Sequence, residues 1–460
     1  MIQIIKKIAA KLGFDKAIIF TSSNSIFGAL GNIITVVLVV KYLNSTEQGF
    51  YFTFGSIVAI QIFFELGLNG IITQYVAHEA SNLIWENKNI LSGASKFRSR
   101  LSSLLHFSVQ LYLFFASALV VSLIIVGFIF FNKYDSTGGM VSWIIPWLLL
   151  SIGTGINLIV SPVIAFVQGL GKIKEIAKTQ LMVLIFRYSI VWGSFVFGAK
   201  LFVLGISVIS SALLLIVIIA ILYRKLLTNI WNTVIIEKVH YRTEIFPYQW
   251  KIALSWISGY FIFQLFNPVL FATEGAVVAG QMGMTLAALN GILSLSLAWI
   301  TTKVPLFSGL IAQKDFSQLD NIFNKTLKQS VLINFVALVL LAVVIFLIRF
   351  FEIELSGKLL GNRFLNYLPM LFMMVPVFLN QFTASWATYL RCHKQEPFLI
   401  NSILGGILCV LSTVLLGKYY GVIGVTSGYC ILSLLMFPWG YYIFRTKKME
   451  WHSTTETVAN

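Results

Sequence analysis

Acidic residues are scarce in this chain. Asp and Glu total 17 in 460 residues, and all charged residues together make 11%. A soluble globular domain carries about 25%, so an ordinary soluble fold is excluded. Cysteine is almost absent: there are only Cys392, Cys409 and Cys430, with no CxxC pair. That excludes a disulfide framework or a structural zinc site and leaves three small buried hydrophobes. The histidines, at 78, 106, 240, 393 and 452, show no metal-ligand spacing. No HExxH, GxxxxGK or GxSxG segment occurs, which argues against metal, nucleotide or serine-nucleophile chemistry. We therefore expect neither an enzyme nor a resident cofactor or metal.

What the chain has instead is apolar length. It is 58% hydrophobic, with a mean hydropathy of +0.87. Many runs reach the ~18 residues needed to cross a bilayer core. The reading is an all-α polytopic membrane protein of about twelve spans. They fall near 17–40, 49–70, 107–131, 143–166, 179–198, 201–223, 252–272, 281–302, 331–350, 366–388, 398–417 and 421–444. The first follows Lys6, Lys7, Lys11 and Lys16 as in a signal peptide. Its apolar run is too long for that, so a retained span is expected. The longer segment 224–251 divides the chain into six spans (1–223) and six more with a short tail (252–460).

The net charge is +16. Topology explains it better than nucleic acid does, because Lys and Arg collect in loops on the cytoplasmic side. With the N-terminus inside, the outer loops hold only Lys41, Lys133, Lys200, Arg349, Lys358, Arg363 and Lys418. Arg187 lies in a span, and the other 25 of the 33 basic residues fall inside. Both termini are expected to be cytoplasmic. The longer inner segments, 71–106, 224–251 and 303–330, mix charge with Trp, Ile and Phe. They read as amphipathic helices on the membrane surface, or as spans continued beyond the headgroups.

One stretch, Tyr42 to Glu79, organises the rest. A polar turn, Asn44-Ser45-Thr46-Glu47, separates two apolar runs. The second run carries Gln61, Glu65 and Asn69 at helical spacing, which predicts one polar face. The stretch has an echo at Phe271–Gly291, where Thr273-Glu274-Gly275 repeats the Thr-Glu before a glycine. Two related halves around a polar interior follow.

Several intramembrane polar residues are candidates for that interior: Asn24 and Asn32 in span one, Gln264 and Asn267 in span seven, and Asn290 in span eight. The competing reading of each is amide bonding between helices. Arg187, mid-span in MVLIFRYSIVWGS, is the strongest signal. It shares a face with Gln180 and Ser194 and must find an anion or water. A balancing charge at Glu65 is the structural alternative. The functional one is an anion-binding residue, since a guanidinium matches phosphate bidentately. Glu65 is expected to pair with a base and shape the inward gate. Lys16, Lys251 and Lys303, at the cytoplasmic ends of their spans, mark topology or form a basic cavity mouth.

The stretch YLNSTEQGFYFTFGSIVAIQIFFELGLNGIITQYVAHE resembles the opening of polysaccharide exporters and O-antigen flippases of the Wzx type. These belong to the multidrug/oligosaccharidyl-lipid/polysaccharide superfamily. The resemblance is carried by the turn Asn44–Glu47, by Gly49–Tyr51 and by Glu65-Leu66-Gly67-Leu68, with QGLGK after span four. The turn lacks the usual Gly-Pro. The resemblance implies two six-helix bundles in a V that alternate access in the bacterial inner membrane. It implies transport of a polyprenyl-diphosphate-linked oligosaccharide, as part of O-antigen, capsule or exopolysaccharide assembly. Implied partners are the lipid-linked oligosaccharide, membrane lipids, H+ or Na+ as coupling ion and other glycan-assembly proteins, with no nucleic acid. The alternative is an ion-coupled drug or metabolite antiporter of the same superfamily. That would need membrane carboxylates, of which Glu65 is the clear example.

Overall fold

A bilayer core offers no water to hydrogen-bond a bare backbone, so long apolar runs must satisfy themselves as helices. They do so here. The structure is a computed structural model that describes residues 16–87, 89–135, 138–355, 357–393 and 395–453. The expected termini, 1–15 and 454–460, lie outside the described residues. The helices in chain order are α1 (Lys16–Tyr42), α2 (Ser45–Val58), α3 (Ile62–Glu65), α4 (Leu68–Ala80), α5 (Ser95–Tyr134), α6 (Ile144–Gly169), α7 (Ile173–Val196) and α8 (Phe202–Trp231). Then come α9 (Phe246–Phe263), α10 (Phe266–Glu274), α11 (Ala276–Thr301), α12 (Val304–Ala312), α13 (Phe316–Phe350), α14 (Tyr367–Arg391) and α15 (Leu399–Ser453). Among the described residues ten helical stretches are long and apolar enough to cross a membrane, with Ile26–Tyr42 as a shorter one. The longest, α15, is two antiparallel helices joined at Gly421 (φ 55°, ψ −140°). Gly424 abuts Leu416 and Gly428 abuts Ser412 across that turn. Adding α1 and dividing α15 gives the twelve expected spans.

One expectation needs correction. Segment 71–106 is not one surface helix. Residues Ile84–Asn87 and Ile90–Ser92 form an antiparallel hairpin, β1–β2, before α5 begins. Ile84, Trp85 and Ile90 favour a strand, and Asn89 takes the turn. The loop near residue 352 also folds into a small hairpin, β3 (Glu354–Leu355) with β4 (Lys358–Leu359). Segments 224–251 and 303–330 largely continue the neighbouring helices: α8 runs on to Trp231, and α13 starts at Phe316 with Asp315 as its N-cap.

The chain clusters into two compact units. The first comprises Met1–Asn24, Ile57–Lys133 and Gly139–Ile257; the second comprises Ser25–Ser56, Tyr134–Gly138 and Ser258–Asn460. In the first unit α6 is the hub. Its Gly153, Gly155 and Gly169 lie against Ile209 of α8, Val120 of α5 and Val76 of α4. Small residues give this close approach, which replaces the hydrophobic drive that lipid removes. At its lysine-rich end, Arg100 joins Glu79 (2.9 Å) to Glu244. Burial alone would raise the Glu244 carboxyl, but Arg100 and the His240 amide outweigh it and hold it below the ordinary value. Ser99, Ser102 and Ser103 tie down residues 233–239 through the backbone.

In the second unit, Phe307, Phe323, Trp386, Tyr389 and Phe444 form an aromatic core. Beside them Ser296 donates to Gln381 (2.7 Å), Ser330 to the Ser296 carbonyl (2.6 Å) and Asn334 to Ser296 Oγ (3.0 Å). This network binds α11, α13 and α14 together without charge.

Candidate functional site

The Glu65 segment is where local structure departs most from a plain helix. After α2 the chain tightens to a 3-10 turn at Ala59–Gln61, resumes as α3, and breaks. Leu66 (φ 47°) and Gly67 (φ 69°) are both left-handed. For leucine that conformation costs about 1–2 kcal/mol. At Gly67 a side chain is excluded twice, because a Cβ would also sit 2.3 Å from Ile252. The break corrects the single face expected for Gln61, Glu65 and Asn69. A helical period does not survive two left-handed residues, so spacing alone no longer places Asn69 on a face with the other two. Its amide donates to Ser161 (2.6 Å) and accepts from Tyr112 (2.8 Å), joining α4 to α6 and α5.

Glu65 itself is half-buried. It forms no ion pair or hydrogen bond among the described residues. Lys16 and Lys251, two of the bases expected at the mouth, have side chains outside those described. Lys303, N-cap of α12, is half-buried and unpaired among the described residues.

Arg187 lies midway along α7 and is exposed. Glu65 does not balance it, and no other carboxylate among the described residues reaches it. Gln180, on the same face, is exposed too, while Ser194 is half-buried. Neighbouring Tyr188 and Trp192 pack ring on ring at 5.7 Å. The helix thus presents a cation, an amide and two aromatic rings within a membrane span.

The asparagine candidates divide. Asn32 and Asn290 are exposed, and Gln264 is half-buried at the break between α9 and α10. Asn24 is half-buried, with a side-chain oxygen that has no partner among the described residues. Asn267 is buried and donates to Ser56 (3.0 Å), the bond between helices that was its competing reading.

Sequence reasoning passed over a second arginine. Arg363 is 3% exposed. It donates to the Leu43 carbonyl (3.0 Å) at the end of α1 and to Gln48 (3.3 Å) in α2. Gln48 donates in turn to the Gly280 carbonyl (2.8 Å), and Lys358 reaches Leu43 as well (2.9 Å). The signal was present: Arg363 is one of few basic residues on the side where they are rare. Beneath it α2 crosses α11 glycine on glycine. A Cβ on Gly49 would lie 1.9 Å from the Ala276 carbonyl oxygen, and one on Gly280 would lie 2.9 Å from Gly49 N. The two echoing stretches therefore pack on each other. Their glutamates also do related work at helix N-termini. Glu47 and Asn44 form a reciprocal capping box (2.8 and 2.7 Å), and Glu274 accepts from Val422 N (2.9 Å) just past the Gly421 turn.

No family model matches the chain, and no curated protein matches it in sequence. Solved structures do match in fold. The MATE multidrug transporter DinF-BH superposes with a TM-score of 0.62 at 14% identity, covering 94% of this chain and 96% of that one. The fold is that of MOP superfamily transporters. The lipid II flippase MurJ, in an inward closed conformation, gives 0.55 at 14% identity over 92% and 87%. A MOP superfamily transporter from Pyrococcus furiosus, described as having a binding pocket of reversed polarity, gives 0.56 at 14% over 95% and 96%. These neighbours are transporters and flippases rather than enzymes, and at such identity the likeness is one of fold.

Proposed function

We propose that this protein is a flippase that carries a polyprenyl-diphosphate-linked oligosaccharide across the bacterial inner membrane, with both termini cytoplasmic. One observation carries the reading: Arg187 is an exposed cation on a spanning helix, with no carboxylate among the described residues to neutralise it. A charge held there without a partner is costly unless water or an anionic ligand meets it. The cargo supplies a diphosphate, and a guanidinium binds phosphate oxygens in pairs. Tyr188 and Trp192 offer flat apolar faces of the kind sugar rings stack on. The cargo's chain needs no enclosed site, because lipid already solvates it. No bond need be made or broken.

The test is translocation of a labelled polyprenyl-diphosphate oligosaccharide in proteoliposomes, scored by the access of an added glycosidase to the sugar. Arg187→Ala should lower the rate at least about tenfold, the equivalent of ~1.4 kcal/mol, with unchanged protein yield. Arg187→Lys should retain part of it, keeping the charge but losing the planar fork. Full transport by Arg187→Ala would defeat the reading, as would rescue by the Glu65→Gln/Arg187→Ala pair.

Glu65 favours a second reading, an ion-coupled antiporter of drugs or metabolites. A carboxylate unpaired among the described residues, beside a strained helix break, can carry a proton or Na+. Glu65→Gln abolishing efflux of a small cationic dye, with no effect on lipid-linked glycan, would select it.

A further inference from the structure

We infer that the lysine-rich end of the first unit holds a docking groove for the polyprenyl chain of an anionic carrier lipid, with Gln249 receiving its first phosphate oxygen. The inference rests on the flippase reading above. The groove measures about 280 Å³ and lies between the Leu66 break and the first turns of α9. Phe246, Trp250, Ala253 and Leu254 form its apolar wall. That volume is just below the ~300–1,000 Å³ of a pocket that encloses a whole small molecule. It suits a segment of chain lying along a surface.

The second observation is polar. Gln249 lines the same groove at 2% exposure. Its oxygen accepts from Tyr241 (2.6 Å), but its Nε2 has no partner among the described residues. A buried donor left unmade keeps its full desolvation penalty, and any ligand that brings an acceptor there recovers it. The walls admit an apolar body, and the lone donor asks for one oxygen at its end. Those are the features of a lipid where chain meets head.

Charge narrows the lipid to an anionic one. Lys238, shortly before the first lining residue of 241–257 in sequence, is exposed without an ion pair among the described residues. The nearby acid, Glu244, is occupied by Arg100 (2.5 Å). The level fits as well, because α9 enters a span from Ile252 onward, which places the groove where chains meet headgroups. The rings of Tyr241, Phe246 and Trp250 favour the flat, methyl-branched units of a polyprenyl chain over a straight acyl chain. The small side chain of Ala253 leaves room for the methyl branches. The left-handed Leu66 is then explained by use, since the break turns its side chain into the groove wall.

The test is photolabelling of the full-length protein in phosphatidylcholine nanodiscs. The probe is a diazirine-bearing polyprenyl diphosphate without sugar, and adducts are mapped by peptide mass. Labels should concentrate within residues 241–257 and be displaced by unlabelled polyprenyl diphosphate but not by equal phosphatidylglycerol. Ala253→Trp, which fills the groove, should remove that label. Gln249→Glu keeps the Tyr241 bond but replaces the donor with an anion. It should weaken labelling about tenfold or more, since a hydrogen bond to a charged group is lost. Arg187→Ala should leave the groove label intact. Equal competition by phosphatidylglycerol would overturn the assignment in favour of an ordinary lipid site, and undiminished labelling of Ala253→Trp would overturn the groove. If native mass spectrometry shows the probe bound while labels fall elsewhere, the groove alone fails. If the probe does not bind at all, the flippase reading fails with it.

Discussion

Arg363 and Arg187 place the same guanidinium in opposite circumstances. Arg363 is 3% exposed, and its donors go to the Leu43 carbonyl and Gln48. Arg187 is exposed on a spanning helix, and its donors reach no carboxylate among the described residues. The first serves stability: it closes the end of α1 against α2, beside the β3–β4 hairpin. The second contributes nothing visible to folding, so its presence in an apolar span calls for a ligand. The difference teaches that an intramembrane or buried charge is read by its partners, not by its depth.

The sharpest way to break this contrast is Arg363→Ala. It leaves the Leu43 carbonyl with Lys358 alone and Gln48 without its charged partner. We expect a loss of about 3 kcal/mol, seen as a lower melting midpoint of the detergent-solubilised protein. An unchanged midpoint would reduce Arg363 to the standing of Arg187. Next is the crossing beneath it. Gly49→Ala forces a Cβ onto the Ala276 carbonyl and should cost about 2 kcal/mol by overpacking. Gly55→Ala, where nothing lies within 4 Å, should be neutral or stabilise by up to about 1 kcal/mol. Equal effects would mean that the α2–α11 crossing is not tight.

Arg187→Ala should change folding stability by less than about 0.5 kcal/mol, even as it disables transport. A large drop in melting midpoint would assign Arg187 a structural role after all. The smallest effect concerns pH. The Glu244 carboxyl is held below its ordinary value of 4.5. Its contribution is therefore complete above that value and lost as pH falls through the lowered native one. Melting midpoints should fall more steeply below pH 4.5 for the parent than for Glu244→Gln. Parallel curves would show that the Arg100 contact adds no pH-dependent stability.

Parts of the site could be read directly. Arg187 stood out because an arginine inside an apolar run is rare whatever surrounds it. The Asn44–Glu47 turn announced a helix start, since residues three apart can cap one another. Glu65 was recognised, but its surroundings were not: helical spacing assumed one continuous helix to Asn69, while the left-handed pair at Leu66 and Gly67 breaks it. Gly67 hinted at the break, but nothing in the local sequence says that a leucine will accept a left-handed conformation. The Gln249 groove was not legible at all, because its walls come from residues 66 and 241–254, which only folding brings together.

The sequence alone determined that this chain spans a membrane many times, since transfer free energy depends on composition and run length and is blind to tertiary contacts. It also determined roughly how many spans there are, while several helices run well past the expected bounds, α5 from Ser95 and α13 from Phe316. Only the tertiary structure decided which polar groups are satisfied. Asn69 and Asn267 found partners across helices, and Arg363 found two on distant elements. Arg187, Glu65 and the Gln249 amide nitrogen found none among the described residues. Hydrogen-bond satisfaction is a property of pairs of groups far apart in the chain, and one group's identity does not contain its partner's position.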